Sequence, residues 1–334
     1  MKIRKVAIVG SGLSGAVCAR ILHDRGFDVE VFESRPKAGG NCADTYDPDT
    51  KIHVQDHGPH VFHTNSNKVW GFMSEHCTFN DFKAVVHGRL KDGSIIPLPF
   101  NRESVEVVGD WSSKNIKDGV FRHYSMKQWG VEWCDMAESI TKRVPTKRDT
   151  DSPYWHNDKY QGVPIGGYTG MFQRLLSGIV VHYAVPKDAW KSADYDILIY
   201  TGKLDAYFDY KHGRLPYRSL DFVKREIPAQ SKHFQLNECN MKNSWTREVD
   251  HSFFSGKPHF GKSISIREYP CEHTDNNIAY YPMRGFVHGD EVYEKYKVEA
   301  EESDTLFVGR LAEYKYIDMD VAVGCAMKVA ENIK

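Results

Sequence analysis

No apolar run in this sequence approaches the roughly 20 residues that a membrane-crossing helix needs, so a spanning segment is excluded. Charge of one sign is also missing: 44 Lys and Arg stand against 45 Asp and Glu, a formal net of −1. That balance argues against nucleic acid or an anionic membrane as a partner held by bulk charge. An anionic substrate must then be gripped by a few placed arginines. Seven cysteines are scattered without a Cys-x-x-Cys pair, which excludes a redox-active dithiol and suits a cytoplasmic location. No Asn-x-Ser/Thr sequon occurs. A mean hydropathy of −0.54 and 334 residues predict a soluble chain of two or three sub-domains with a sizeable core.

What is present begins at the start. Residues 6–9 are a β-branched run, as in a strand buried on both faces of a parallel sheet. Gly10, Gly12 and Gly15 follow at G-x-G-x-x-G spacing, and residues 16–25 then read as a helix. The first glycine makes the turn, the second lets backbone approach a pyrophosphate, and the third brings helix and strand together. The pyrophosphate would rest on the free N–H groups and positive end of that helix, at Leu13 and Ser14. A second strand, Asp28–Phe32, ends in Glu33, placed as a ribose-binding carboxylate. Lys2, Arg4 and Lys5 ahead of the apolar run imitate a secretory leader, but Arg20, Asp24 and the interrupting glycines exclude one. Arg35 with Gly39-Gly40-Asn41 resembles the glutathione-reductase type of FAD fold, so the dinucleotide is read as FAD. No second unit of this kind appears, and electrons must come from an external reductant.

Further along, His57, His60 and His63 recur every third residue. Gly58-Pro59 breaks any helix that would align them, and no carboxylate or cysteine stands at ligand spacing. The reading is a loop against the flavin, with no metal. Residues 66–76 predict a helix with Trp70 and Met73 inward, and 84–98 a hairpin turning at Asp92-Gly93. Residues 102–118 have no clear form. Aromatics and bases interleave over 120–133, which suits either core packing or a wall on which a nucleobase stacks. A long connection over 146–162, rich in Asp, Pro and aromatics, reads as mobile. A helix opening at Gly166-Gly167, strands at 179–183 and 196–200, an antiparallel sheet over 215–268 and a last core strand at 305–310 follow. Asp318 is expected to cap the closing helix, 319–333, through its side chain.

A set of short motifs then gives a family. They are Gly58-Pro-His-Val-Phe-His-Thr64, Leu98-Pro-Phe-Asn101, Tyr124-Ser-Met-Lys-Gln-Trp-Gly130, Lys142-Arg-Val-Pro145 and Tyr160-Gln-Gly-Val-Pro164. Tyr217-Arg-Ser-Leu220, Trp245-Thr-Arg247, Arg267-Glu-Tyr-Pro270, Tyr280-Tyr-Pro282 and the run from Gly309 to Asp320 complete it. Along nearly its whole length the chain resembles the UDP-galactopyranose mutases. The resemblance implies an α/β fold: a discontinuous Rossmann-type FAD-binding domain (1–83, 180–212 and 300–334) with an inserted antiparallel β-sheet substrate domain (84–101, 143–179 and 213–299). A reduced helical domain (102–142) stands where family members carry a longer segment, which implies a monomer or an altered dimer.

The implied activity is an isomerase that interconverts UDP-galactopyranose and UDP-galactofuranose on reduced FAD with no net redox change. In the family mechanism the flavin N5 bonds to the anomeric carbon while UDP leaves and returns. By resemblance Arg143 and Arg247 clamp the pyrophosphate, and Tyr154, Tyr281 and Tyr316 add hydroxyl contacts. Phe121, Tyr124, Trp129 and Asn237 line the uridine site. His60, His63, Glu268, Arg310 and Asp318 lie around flavin and galactose. The implied FAD contacts are Gly10, Gly12, Leu13, Ser14, Gly15, Glu33, Arg35, Gly40 and Asn41. They continue with His60, Val61, Gly309, Arg310, Tyr316, Asp318 and Met319. Alternatives are a mutase for UDP-N-acetylgalactosamine or UDP-arabinopyranose, or a flavin oxidase of the amine-oxidase type on the same fold.

Overall fold

The computed structural model describes residues 3–143, 145–146, 152, 154–155, 157–286 and 289–334. Lys5–Val9 is the middle strand of a five-stranded parallel sheet. Asp28–Phe32 and Val180–His182 lie on one side, Ile197–Tyr200 and Leu306–Phe307 on the other. One sheet is thus assembled from both ends and the middle of the chain, the discontinuity predicted above. Its middle strand is buried on both faces, which is why it is written in Val, Ala and Ile.

The first helix, Leu13–Asp24, begins three residues ahead of the predicted start. Gly15 therefore lies in its first turn, where a Cβ would stand 2.0 Å from the carbonyl oxygen of Gly10. Only glycine permits that helix–strand approach. The closing helix, Met319–Asn332, packs along the first, with Ala16, Ala19, Ala322 and Ala326 in the shared core and Cys18 Sγ 3.5 Å from the Ala326 carbonyl. Small side chains keep the two axes close.

A second sheet has seven strands in the order Tyr281–Pro282, Tyr217–Ile227, Ser263–Glu272, Arg247–Asp250, Gln235–Glu238, Val86–Arg89, Ile95–Leu98. The hairpin turning at Asp92-Gly93 supplies the last two. Pairing is antiparallel except between Gln235–Glu238 and Val86–Arg89, which run parallel. Register matters most here. Gly88 faces Asn237, Asn237 faces Arg247, Arg247 faces Glu268, and Glu268 faces Phe222. Directly opposed residues share one face of a sheet, so Asn237, Arg247 and Glu268 stand side by side.

Residues 102–118, formless in the sequence, fold as two short helices, Arg102–Val108 and Ser113–Ile116. Asn101 and Ser104 close a reciprocal capping box on the first. A π-helical turn, Lys117–Phe121, then leads into the helix Arg122–Trp129, which Gly130 ends in the left-handed conformation. The connection read as mobile, 146–162, lies partly outside the described residues. Its last strand, Tyr160–Gly162, pairs antiparallel with Phe62–Thr64.

The fold carries a pH signature. His251 is 1% exposed, packed edge-on against Phe254 at 5.2 Å, and burial pushes its pKa down to about 4. The unfolded chain takes up this proton near pH 6.5 while the folded chain resists until about 4. This group's contribution is therefore complete above pH 6.5 and is lost as pH falls, at about 1.4 kcal/mol per unit. Melting temperatures followed from pH 7 to 4 should fall less steeply for His251→Gln than for the parent. Equal slopes would refute the assignment.

Candidate active site

The Gly-rich turn presents an unclaimed helix end. Gly12 is the N-cap of the first helix, makes no side-chain capping bond, and no acid lies in the first turn. Glu33, 5% exposed, accepts from Ser11 N and Oγ at 2.8 and 2.7 Å and from Arg35 N at 2.8 Å. Arg35 donates to Asn41 Oδ1 at 3.2 Å, while its buried Nη1 has no partner among the described residues. Gly40 brings its backbone against Gly12: a Cβ on Gly40 would lie 3.1 Å from the Gly12 Cα. A bare helix N-terminus, a fixed carboxylate and an orphaned guanidinium nitrogen fit a dinucleotide at this edge. Gly309, with φ +99°, closes on Ser14 from the opposite segment. Its neighbour Arg310 donates to the Ile317 carbonyl at 2.8 Å and lies over the Tyr316 ring at 5.0 Å.

From that edge a cavity of about 340 Å³ runs toward the large sheet. His60, Val61, His63, Arg310, Asp318 and Met319 line it, and so do Phe121, Tyr124, Trp129 and Asn237. Arg143, Arg247, Tyr281 and Tyr316 line it as well. The aromatics over 120–133 prove to be both core and wall: Phe121 and Trp129 are buried and line the cavity. The interleaved Lys127 turns away and donates to the carbonyls of Glu238, Asn243 and Trp245.

Arg247 is anchored from behind. Its Nε donates to Glu268 Oε2 at 2.6 Å, and Glu268 is wholly buried. Burial pushes the Glu268 carboxyl up against the pull of Arg247. Desolvation works against the Arg247 charge, and the neighbouring Glu268, Tyr124 and Tyr281 together more than offset it, so the guanidinium stays firmly protonated. Burial also raises the phenols of Tyr124, to about 12, and Tyr281, so both remain hydrogen-bond donors. Burial, then Arg310, drives His60 down to about 3; its Nδ1–H donates to the Gly58 carbonyl at 2.8 Å. His60 is thus a neutral ring at the cavity wall.

Three expectations change. Asp318 stands at the N-cap of the closing helix but makes no side-chain capping bond. Its carboxylate instead accepts from Arg143 Nη2 at 2.8 and 3.2 Å, and Arg143 also covers the Tyr316 ring at 4.8 Å. A charged partner outcompetes a backbone N–H for the same oxygens. Tyr154 is not on the cavity wall; its ring lies under Lys83 Nζ at 5.1 Å, and Trp155 lines the cavity instead. Glu268 sits one layer back, behind Arg247. Sequence reasoning missed Tyr280 and Gln128, which also line the cavity. It also missed Gln235, whose Nε2 donates to Asn237 Oδ1 at 2.8 Å. Gln235 precedes Asn237 by two in a strand, a same-face signal that was available.

A parallel sheet with a Gly-rich turn, joined to a sheet that lends Asn237 and Arg247 to a cavity also lined by Arg143 and Arg310, defines a dinucleotide-fold enzyme for an anionic substrate. Comparison with known proteins narrows this. A family model described as UDP-galactopyranose mutase matches residues 119–316, and one for an NAD(P)-binding Rossmann-like domain matches residues 8–76. A probable UDP-galactopyranose mutase of Klebsiella pneumoniae is 32% identical over 99% of this chain and 95% of its own. A dTDP-fucopyranose mutase of Escherichia coli is 31% identical over 99% of this chain and 100% of its own. A crystal structure of reduced UDP-galactopyranose mutase matches in fold with a TM-score of 0.76 at 15% identity, covering 99% and 94% of the two chains. The chain belongs to the UDP-galactopyranose mutase family and is an isomerase of that type. Membership implies FAD, which the Gly-rich edge described above fits.

Proposed function

We propose that this chain interconverts UDP-galactopyranose and UDP-galactofuranose with FAD held reduced by an external donor. The observation that carries the reading is the cavity itself: Arg143 and Arg247 line it together with His60, Arg310 and the aromatics Phe121, Tyr124 and Trp129. When bound and reduced, FAD supplies a nucleophilic N5 toward the anomeric carbon, so no net redox change results. The protein's part is orientation and charge. Planar guanidinium groups at Arg143 and Arg247 grip phosphate oxygens in pairs, most strongly as charge builds on the departing diphosphate. Tyr281 and Tyr316 donate hydroxyl hydrogen bonds to the same group. Phe121, Tyr124 and Trp129 hold the base between rings while Asn237, its carbonyl oxygen occupied by Gln235, offers an N–H. His63 moves protons among sugar hydroxyls.

A second substrate is favoured by one observation, the full-length likeness to a dTDP-fucopyranose mutase. Dithionite-reduced protein should convert UDP-galactofuranose to UDP-galactopyranose, and cyanoborohydride should leave a hexose mass on the extracted flavin. Equal turnover by the oxidised protein would overturn the reading; faster turnover of dTDP-fucofuranose would move the substrate but keep the chemistry. The compact segment at 102–118 also leads us to propose a monomer or altered dimer working in the cytoplasm. Light scattering at micromolar concentration should show little of the family's usual dimer.

A further inference from the structure

We propose that Asp158 is a positioning residue for His63, fixing which ring nitrogen meets the substrate. His63 lines the cavity, and its Nδ1 lies 2.5 Å from Asp158 Oδ2, with the two side chains only 16% and 25% exposed. Asp158 does not line the cavity, so it acts through the ring. The link is built by register. Phe62–Thr64 pairs with Tyr160–Gly162, placing His63 opposite Gln161, and Asp158 stands just ahead of that partner strand. Asn65 holds the carboxylate from the other side, donating Nδ2 to Asp158 Oδ1 at 2.5 Å and accepting from Lys159 N at 2.9 Å. Gln161 Nε2 donates to the Asp158 carbonyl at 3.2 Å. So Asp158 is held through its carboxylate by Asn65, just beyond one strand, and through its carbonyl by Gln161 in the other.

An ionised carboxylate only accepts hydrogen bonds. Beside it, Nδ1 must carry a proton, which leaves Nε2, on the opposite edge of the ring, as the lone-pair nitrogen. This is the arrangement by which a carboxylate sets the tautomer of a working imidazole. Resting on the function proposed above, the step it serves is a proton transfer. The O–H bond of the hydroxyl that closes the new ring breaks as an Nε2–H bond forms. The imidazolium is balanced by Asp158, and it passes that proton on to the oxygen freed as the old ring opens, before the deprotonated oxygen closes the new one. No proton is gained or lost overall.

The test uses the FAD-loaded protein carrying Asp158→Asn, Asp158→Glu, His63→Ala and the double substitution Asp158→Asn/His63→Ala. Asp158→Asn should lower kcat tenfold or more with KM within about threefold, and Asp158→Glu should recover part of the loss, as expected when a carboxylate orients a working histidine. The double variant should be no slower than His63→Ala alone. ¹⁵N spectra of histidine-labelled protein should show His63 protonated at Nδ1 in the parent and the opposite tautomer in Asp158→Asn, a readout that needs no turnover. Parent-like kcat for Asp158→Asn beside an impaired His63→Ala, or losses that add in the double variant, would overturn the pairing while leaving the proposed function intact. If no UDP-sugar is converted by any form, the function fails and the spectra alone decide: an unchanged tautomer in Asp158→Asn sinks the dyad.

Discussion

Arg247→Ala is expected to lower kcat by a hundredfold or more, about 3 kcal/mol of lost transition-state stabilisation, with FAD still bound. The size follows from where Arg247 stands. It lines the cavity with its guanidinium fixed through Nε by a wholly buried carboxylate, so its remaining N–H groups can meet the substrate without needing to reorganise. The same anchoring complicates the alanine variant. Removing the guanidinium strands Glu268, whose Oε1 already lacks a partner among the described residues, and an uncompensated buried charge costs about 3–5 kcal/mol unless it takes up a proton. Two further variants separate rate from stability. Arg247→Lys keeps the charge but cannot grip two oxygens at once, so it should melt close to the parent and remain slow. Arg247→Ala/Glu268→Gln should regain melting temperature and no turnover. Near-parent kcat in Arg247→Ala with flavin retained would remove Arg247 from the clamp.

The row that holds Arg247 was the least legible part of the molecule. The Gly-rich unit is local, so its strands, turn and helix can be read from residues 5–33, with the helix start displaced by three residues. Asn237, Arg247 and Glu268 come from separate strands, and their adjacency is a matter of register. A slip of one residue would turn Arg247 to the opposite face, and nothing in the composition of these short strands fixes that number. The parallel pairing of Gln235–Glu238 with Val86–Arg89 is hidden for the same reason. Asp318 shows the complementary failure. Its position as an N-cap was readable, but the competitor for its carboxylate, Arg143, lies far away in the chain. His63 and Asp158 repeat the pattern across a strand pair. Among substrates, the alternatives drawn from sequence varied the sugar and held uridine constant, whereas the Escherichia coli relative differs in the nucleoside as well.

Gly12→Val should yield a folded protein that purifies without colour, and here the geometry makes a sharp distinction between two glycines of one motif. A Cβ built on Gly12 meets nothing nearer than the Gly40 Cα at 3.7 Å, an ordinary contact. Its φ of −69° is one that any L-residue adopts. The apoprotein therefore has room for the larger side chain. What the valine would fill is the approach to the first helix's free N–H groups, where a pyrophosphate must come within hydrogen-bond distance of backbone. Flavin absorbance should be lost, and a melting curve of the variant should overlay that of the flavin-stripped parent. Gly15→Ala is the control with the opposite signature. Its Cβ would stand 2.0 Å from the Gly10 carbonyl oxygen, so helix and strand must part, at a cost of about 1–3 kcal/mol or more, and the flavin-free variant should melt well below the stripped parent. A yellow, active Gly12→Val would mean that the dinucleotide lies elsewhere than across the Gly12–Gly40 contact, and the placement of every residue from His60 to Met319 around the flavin would have to move with it.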